Sequence, residues 1–113
     1  MWRQRKQNKY HNITSEHNGI FYHSKKEAAY AAELDLRKKA GDIIGWERQV
    51  KISLDVNGYH ICNYYIDFVV QCTDGVIEYV EVKGFETDMW RLKWKLFEAL
   101  YGKEINTRLV VVK

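Results

Sequence analysis

The sequence predicts a mixed α/β (α+β) domain with its elements in the order α-β-β-β-α-β. Three observations predict this class: a capped helix near the start, strand patterns joined by tight turns, and a second helix followed by one last strand pattern. The chain has 113 residues, which suits one domain. We divide it into a basic N-terminal arm, residues 1–18, and a folded domain, residues 19–113.

The first helix is predicted over the segment "SKKEAAYAAELDLRKKAG". Ser24 is a suitable N-cap, Glu27 stands three residues later as in a capping box, and Gly41 follows the last turn. At 100° per residue, Glu27 shares the core-facing side of the helix with Ala31 and Leu34. This acid is therefore either the capping partner of Ser24 or a ligand that reaches toward the strands, and the sequence leaves both interpretations open.

Three strands are predicted after this helix. The first follows the alternating pattern "GWERQVKISLDV", and the turn Asn57-Gly58 leads into a second strand from Tyr59 to Cys72. The turn Thr73-Asp74-Gly75 then leads into a third strand from Val76 to Lys83. Hairpin turns of this kind join antiparallel neighbours.

The length of the second turn decides which side chains meet across these strands. A two-residue loop would place Asp67 opposite Val82, whereas a three-residue loop places Asp67 opposite Glu81. Three-residue hairpin loops usually end in a left-handed residue, and Gly75 is suited to that position. We therefore predict that Asp67 and Glu81 are direct cross-strand neighbours.

The second helix is predicted from Thr87 or Asp88 to about Tyr101, with Gly102 ending it. Its core stripe is predicted to contain Met89, Leu92, Leu96 and Leu100, and a second, aromatic arc contains Trp90, Trp94 and Tyr101. We interpret the aromatic arc as a partner surface, with burial under the N-terminal arm as the alternative. The segment "INTRLVVVK" supplies the last strand, which should join the sheet by a crossover.

The predicted pair of acids needs a compensating charge. Two ionised carboxylates about 5 Å apart repel by roughly 3 kcal/mol at an effective dielectric of about 20. Lys83 lies on the same face as Glu81, two residues along the strand, and offsets part of this repulsion. A divalent cation would offset more, and Mg²⁺ is usually held by one or two carboxylates together with phosphate oxygens.

These residues resemble a known family. An acid in the first helix, an acid in a central strand and the E-x-K of "EVKG" are similar to the PD-(D/E)XK nuclease core, a restriction-endonuclease-like fold with a mixed four-stranded sheet flanked by helices. The segments "GIFYHSKKEAAY", "WERQVKI", "YYIDFVV" and "RLKWKLF" resemble the small phage-encoded Holliday-junction resolvases of the endonuclease I type. The resemblance covers residues 19–113, and Ile66 stands where the motif's name has proline.

The resemblance implies roles for individual residues. Asp67 and Glu81 would hold Mg²⁺ or Mn²⁺ with the help of the Val82 carbonyl, and Glu27 would complete the acidic cluster. Lys83 would position or deprotonate the attacking water. Metal-assisted phosphodiester hydrolysis requires this division of labour, because a cation must act on the phosphate oxygens while a water is activated opposite the leaving oxygen.

Basic residues are concentrated at the start of the chain. Residues 1–26 carry six of them against Glu16 alone, a net charge of +5, while the whole chain carries +3. A basic head of this kind is typical of a DNA-binding arm, and a solvated terminus is the alternative. The predicted DNA contacts are Arg3, Arg5, Lys6, Lys9, Lys25, Lys26 and Lys93, and Gln49 is an auxiliary candidate for lining the site.

The composition indicates where in the cell the protein acts and whether its cysteines form a disulfide. No apolar run approaches the length of a membrane span and no secretory signal is evident, so a cytoplasmic location is expected, in the host cell if the protein is phage-encoded. Cys62 and Cys72 would be roughly 33 Å apart on one strand, which predicts two packed thiols and no disulfide.

Together these observations predict a Mg²⁺- or Mn²⁺-dependent endonuclease that hydrolyses branched or structured DNA. One copy of the unit has one site, and resolving a junction takes two symmetric nicks, so a homodimer is expected. Two alternatives remain: a nuclease for plain duplex DNA or RNA, and a non-catalytic DNA-binding module that retains the nuclease fold.

Overall fold

A computed structural model describes residues 15–17, 19–22 and 24–113 and confirms the predicted fold class: a mixed four-stranded sheet flanked by two helices. The elements are β1 (Ser15–His17), β2 (Ile20–Tyr22), α1 (Lys25–Lys39), β3 (Ile43–Val56), β4 (Tyr59–Cys72), β5 (Ile77–Val82), α2 (Asp88–Tyr101) and β6 (Thr107–Val112). The core from α1 to β6 therefore has the order α-β-β-β-α-β.

The sheet has the strand order β3-β4-β5-β6. Strands β3, β4 and β5 pair antiparallel, and β6 runs parallel to β5. Because two parallel strands cannot be joined by a tight turn, α2 forms the crossover between them, as predicted. The turns also follow the sequence: Asn57 and Gly58 have φ of 52° and 82°, which suits the two-residue hairpin between β3 and β4.

A small hairpin precedes this core. Strands β1 and β2 pair antiparallel through Glu16 and Phe21, on either side of the predicted boundary between residues 18 and 19. This hairpin was not predicted, because a strand of three residues is too short to show alternation.

The two helices cover opposite faces of the sheet. On one face, Ala31 and Leu34 of α1 pack with Phe68 and Val80 of the sheet. On the other face, Phe97 of α2 packs with residues that include Tyr64 and Tyr79. The central strands β4 and β5 are thus buried from both sides, and a charged side chain placed there loses most of its hydration.

The predicted core stripe of α2 is wrong at its N-terminal end. Met89 and Leu92 are 61% and 65% exposed. The residues that pack against the sheet instead include the aromatic arc Trp90, Trp94 and Tyr101, together with Phe97, Leu96 and Leu100. The arc therefore packs partly against the sheet, and part of each of its side chains stays exposed.

The cysteines and the helices of the described residues bear on two further points. Cys62 and Cys72 are free thiols, as expected. No helix in the described part of the chain is long and apolar enough to cross a membrane.

Candidate active site

Asp67 and Glu81 face each other across the central strands, as the three-residue loop predicted. Gly75 has φ of +89°, and the register pairs Phe68 with Val80. One residue further along the same register, Asp67 of β4 stands opposite Glu81 of β5. Both side chains are buried, with Glu81 only 1% exposed.

Each acid is anchored to the other's strand by its side chain. The Asp67 backbone N–H donates to Glu81 Oε2 at 2.8 Å, and the Val82 backbone N–H donates to Asp67 Oδ2 at 2.9 Å. These bonds continue the connection between β4 and β5 beyond the Phe68–Val80 pair. The carboxylates thus accept hydrogen bonds from buried backbone N–H groups that would otherwise have no acceptor at this point of the sheet.

Gln49 lies beside this pair on β3. Its backbone has φ of 51°, a left-handed conformation that is unfavourable for a residue other than glycine. Its neighbours pair with Ile66 and Phe68 of β4, and Gln49 Nε2 donates to Asp67 Oδ1 at 3.2 Å. The position that the sequence marked as auxiliary therefore contacts the central acid.

The direction of side-chain alternation also changes at this point of β4. Tyr64 and Ile66 belong to the core under α2, whereas Phe68 and Val70 belong to the core under α1. Residues two apart normally share a face, so the strand reverses its faces at Asp67. This reversal places the acid between the two cores.

Glu27 brings a third carboxylate from α1. Ser24 Oγ accepts the Glu27 backbone N–H at 3.1 Å, so the cap uses the main chain of Glu27, and its side chain is hydrogen-bonded to Asp67. Burial first, and the charge of Asp67 second, raise the pKa of Glu27 to about 7. The side chain is 5% exposed. The cap and the acidic cluster therefore use different parts of the same residue.

Glu81 is surrounded by donors on its other oxygen. Trp90 Nε1–H donates to Glu81 Oε1 at 2.7 Å, and Lys83 Nζ lies 3.6 Å from the same oxygen. Burial, and then the nearby charge of Glu81, raise the pKa of the Tyr64 hydroxyl. Burial, and then the charge of Asp67, nevertheless raise the pKa of Glu81, while Lys83 and Trp90 act in the opposite direction.

Arg48 supplies a second cation on the α1 side. Its guanidinium carbon lies 4.7 Å from the centroid of the Tyr22 ring, within cation–π distance. Its charge lowers the pKa of Glu27, as does the charge of Lys83. Three acids are thus set against two cations, which leaves the cluster with an excess of negative charge when every group is ionised.

The other predicted site residues are lysines of α1 and α2 and residues outside the described part. Lys25 and Lys26 are exposed in the first turn of α1, immediately before Glu27. Lys93 Nζ lies 3.5 Å from the Asn63 carbonyl oxygen, on the β3–β4 hairpin. The arm residues Arg3, Arg5, Lys6 and Lys9 fall outside the described residues.

The donor set of the cluster fits a hard divalent cation. Asp67, Glu81 and Glu27 present carboxylate oxygens, which Mg²⁺ and Mn²⁺ prefer. In the described ranges, no three His, Cys, Asp or Glu side chains are already arranged to bind one ion. The chemistry of the residues therefore fits a metal, and backbone and indole N–H groups hold the Asp67 and Glu81 carboxylates in place.

Three contributors to the site were missed by sequence reasoning. Arg48 had a detectable signal, because it is a basic residue at a core-facing position of an otherwise apolar alternation. Trp90 and Tyr64 had none, since an aromatic residue in an amphipathic pattern is expected to pack in a core. The indole N–H of Trp90 reaches Glu81 only when α2 folds over the sheet.

The matched family covers almost the whole chain. Comparisons with curated proteins and with solved structures found no significant match. A family model matches residues 7–112, a span that includes every strand and helix from β1 to β6 and all of the acidic cluster. The chain therefore belongs to the family described as "Protein of unknown function (DUF1064)".

Proposed function

We propose that this protein is a metal-dependent endonuclease that hydrolyses phosphodiester bonds in branched or structured DNA in the cytoplasm. The observation that carries the proposal is the meeting of Glu27, Asp67, Glu81 and Lys83 at one buried point, with Lys83 Nζ 3.6 Å from Glu81 Oε1. Three acids and one lysine in this order are also the elements of the resemblance described above.

The acids would hold Mg²⁺ or Mn²⁺. Asp67 and Glu81 would be the principal ligands, with Glu27 and the Val82 carbonyl completing the set. The bound cation would neutralise phosphate oxygens and lower the pKa of a coordinated water. Burial first, and the charge of Asp67 second, raise the pKa of Glu27 and of Glu81, and a bound cation would favour their ionised forms.

Lys83 would act on the water or on the phosphate. Its side chain is 24% exposed, so its ammonium is partly desolvated and still reachable by a substrate. A lysine in this position can orient a nucleophilic water by hydrogen bonding and can offset the negative charge that develops on the phosphoryl oxygens. The two acids alone, if they served only the sheet, would not require it at this spacing.

A non-catalytic DNA-binding module is the second candidate. The observation that favours it is the use of both acids as acceptors for backbone N–H groups of β4 and β5. In this reading the carboxylates connect the strands, and DNA is bound through Lys25, Lys26 and the basic arm. Cleavage distinguishes the two candidates, because the module would bind DNA without cutting it.

Branched DNA implies a two-site assembly. A single site cuts one strand, so junction resolution by this chain would take a two-fold dimer. The aromatic arc of α2 is half-buried against the sheet, and its exposed part would be the candidate dimer surface. Light scattering of the protein alone and with junction DNA tests this part of the proposal.

A substrate panel tests the function. Hairpin, flap, four-way junction and linear duplex DNA, and a matched RNA duplex, are each incubated with Mg²⁺, Mn²⁺ or EDTA. We expect metal-dependent cuts in the branched substrates and little cutting of linear duplex. Cleavage of all duplexes at similar rates would favour a general nuclease, and binding without cleavage in either metal would favour the non-catalytic module.

A further inference from the structure

One aromatic side chain contacts both Glu81 and Lys83. Trp90 Nε1–H donates to Glu81 Oε1 at 2.7 Å. The ammonium nitrogen of Lys83 lies 5.0 Å from the centroid of the Trp90 ring and 3.6 Å from the same Oε1 atom. The edge of the indole therefore contacts the acid while its face contacts the lysine.

The position of Trp90 is itself fixed by its surroundings. Its backbone N–H donates to Thr87 Oγ1 at 3.1 Å, which holds the first turn of α2. Besides Glu81, its indole N–H also donates to the Tyr64 hydroxyl oxygen at 3.0 Å, and its ring stacks on the Trp94 ring with 5.9 Å between the centroids. A side chain held at its backbone, edge and face has little freedom to change rotamer.

We propose that Trp90 is a positioning residue of the candidate site: its indole N–H fixes Glu81 Oε1, and its ring fixes the ammonium of Lys83. This inference rests on the proposed function and concerns how the same site keeps its geometry. Trp90 is not proposed to touch the substrate.

The chemistry of the indole suits this role. Its N–H is a donor and never an acceptor, so it pairs with a carboxylate in one sense only. The acceptor is a buried carboxylate, and charge-assisted bonds of this kind are stronger than bonds between neutral groups. The ring face attracts an ammonium ion without taking its proton, so Lys83 keeps its N–H donors for other partners.

Phenylalanine substitution separates the two contacts. Trp90→Phe keeps an aromatic ring beside Lys83 and removes the N–H donor to Glu81. Trp94→Phe is the control, because Trp94 lies on the same helix and packs in the same core but its indole N–H does not donate to Glu81. Outer-shell partners of metal ligands typically change metal affinity or activity by about 10–100-fold. We expect Trp90→Phe to lower kcat and Mn²⁺ affinity in that range with little change in KM for DNA, and Trp94→Phe to stay within a few-fold of wild type.

A spectroscopic measurement on the folded apo protein supports the kinetic one. The four tryptophan residues give four indole N–H signals in a ¹⁵N spectrum, and the signal missing from Trp90→Phe identifies Trp90. We expect Glu81→Gln to shift this signal and Glu98→Gln, an exposed acid on the same helix, to leave it unchanged. This measurement needs no metal or DNA.

The outcomes separate this inference from the proposed function. If wild type cuts DNA but Trp90→Phe matches Trp94→Phe in kcat and Mn²⁺ affinity, the positioning role is wrong and the nuclease stands. An indole signal that does not respond to Glu81→Gln also overturns the positioning role. If wild type neither binds Mn²⁺ nor cuts DNA, the proposed function fails, and the positioning role fails with it even if the indole signal responds.

Discussion

The backbone N–H of Asp67 donates to Glu81 Oε2 at 2.8 Å, so one acid's main chain holds the other acid's side chain. In the opposite direction, the Val82 backbone N–H donates a hydrogen bond to Asp67 Oδ2. Truncating Asp67 to alanine would leave the buried Val82 N–H without this acceptor, which typically costs about 1–3 kcal/mol. The amide variants Asp67→Asn and Glu81→Gln keep an acceptor oxygen, and they are the appropriate tests of chemistry.

Lys83→Met should abolish cleavage without unfolding the protein. The substitution keeps the length of the side chain and removes the ammonium that lies beside Glu81 Oε1. Loss of a positioned proton donor or acceptor costs about 10²–10⁴-fold in rate. Single-turnover cleavage measures the effect, with Lys95→Met on the exposed side of α2 as the control. Equal rates for the two variants would contradict a role for Lys83.

Glu27→Gln tests whether the third acid is part of the chemistry. The cap uses the Glu27 backbone N–H, so the substitution should preserve the start of α1. We expect most of the cleavage activity to be lost with little loss of melting temperature at neutral pH. Glu33→Gln, an exposed acid on the same helix, is the matched control. Activity within a few-fold of wild type in Glu27→Gln would refute the ligand role.

The melting temperature of the apo protein should fall as the pH rises. Burial, together with the charge of Asp67, raises the pKa of Glu27 from 4.5 to about 7. The folded state therefore holds this proton more tightly than the unfolded state does. The resulting stabilisation is complete below about pH 4.5 and is lost as the pH rises through about 7, at about 1.4 kcal/mol per pKa unit.

Thermal melts in EDTA between about pH 5 and pH 8 measure this dependence. Glu27→Gln should flatten the curve, and Glu33→Gln should not. Some slope should remain in Glu27→Gln, because burial and Asp67 raise the pKa of Glu81 as well. Identical slopes in wild type and Glu27→Gln would show that Glu27 is not the titrating group.

Removal of residues 1–9 tests the predicted arm. The deletion takes away Arg3, Arg5, Lys6 and Lys9, which lie outside the described residues. Each lost phosphate contact should reduce the slope of log affinity against log salt by up to about 0.9. Filter binding to duplex DNA across a salt series, in EDTA, gives this slope. An unchanged slope would assign the arm to another role.

Most of the sheet could be predicted from local signals. Asn57-Gly58 and Gly75 specify the two hairpin turns, and the second turn sets the register that brings Asp67 opposite Glu81. Ser24 and Thr87 mark the starts of both helices, because their hydroxyls cap free backbone N–H groups. Each of these features is determined by residues that are close together in the chain, so it can be predicted from one sequence.

Local signals do not predict which side of α2 packs on the sheet. An aliphatic stripe with Leu92 and an aromatic arc with Trp94 lie on adjacent sides of the helix, and periodicity alone does not choose between them. The aromatic side of α2 packs on the sheet because the sheet provides aromatic partners there: Tyr64 contacts Trp94, and Tyr79 contacts Phe97. The contact of Trp90 with Glu81 depends on that same long-range choice.

The measurement that tests the central claim most directly is cleavage of a four-way junction by Asp67→Asn. The variant keeps a hydrogen-bond acceptor for Val82 and removes one carboxylate charge, and Asp74→Asn in the exposed turn before β5 is its matched control. We predict metal-dependent cleavage by wild type and Asp74→Asn, and a loss of several orders of magnitude in folded Asp67→Asn. Wild-type cleavage by Asp67→Asn would show that the acidic cluster is not the site of a nuclease.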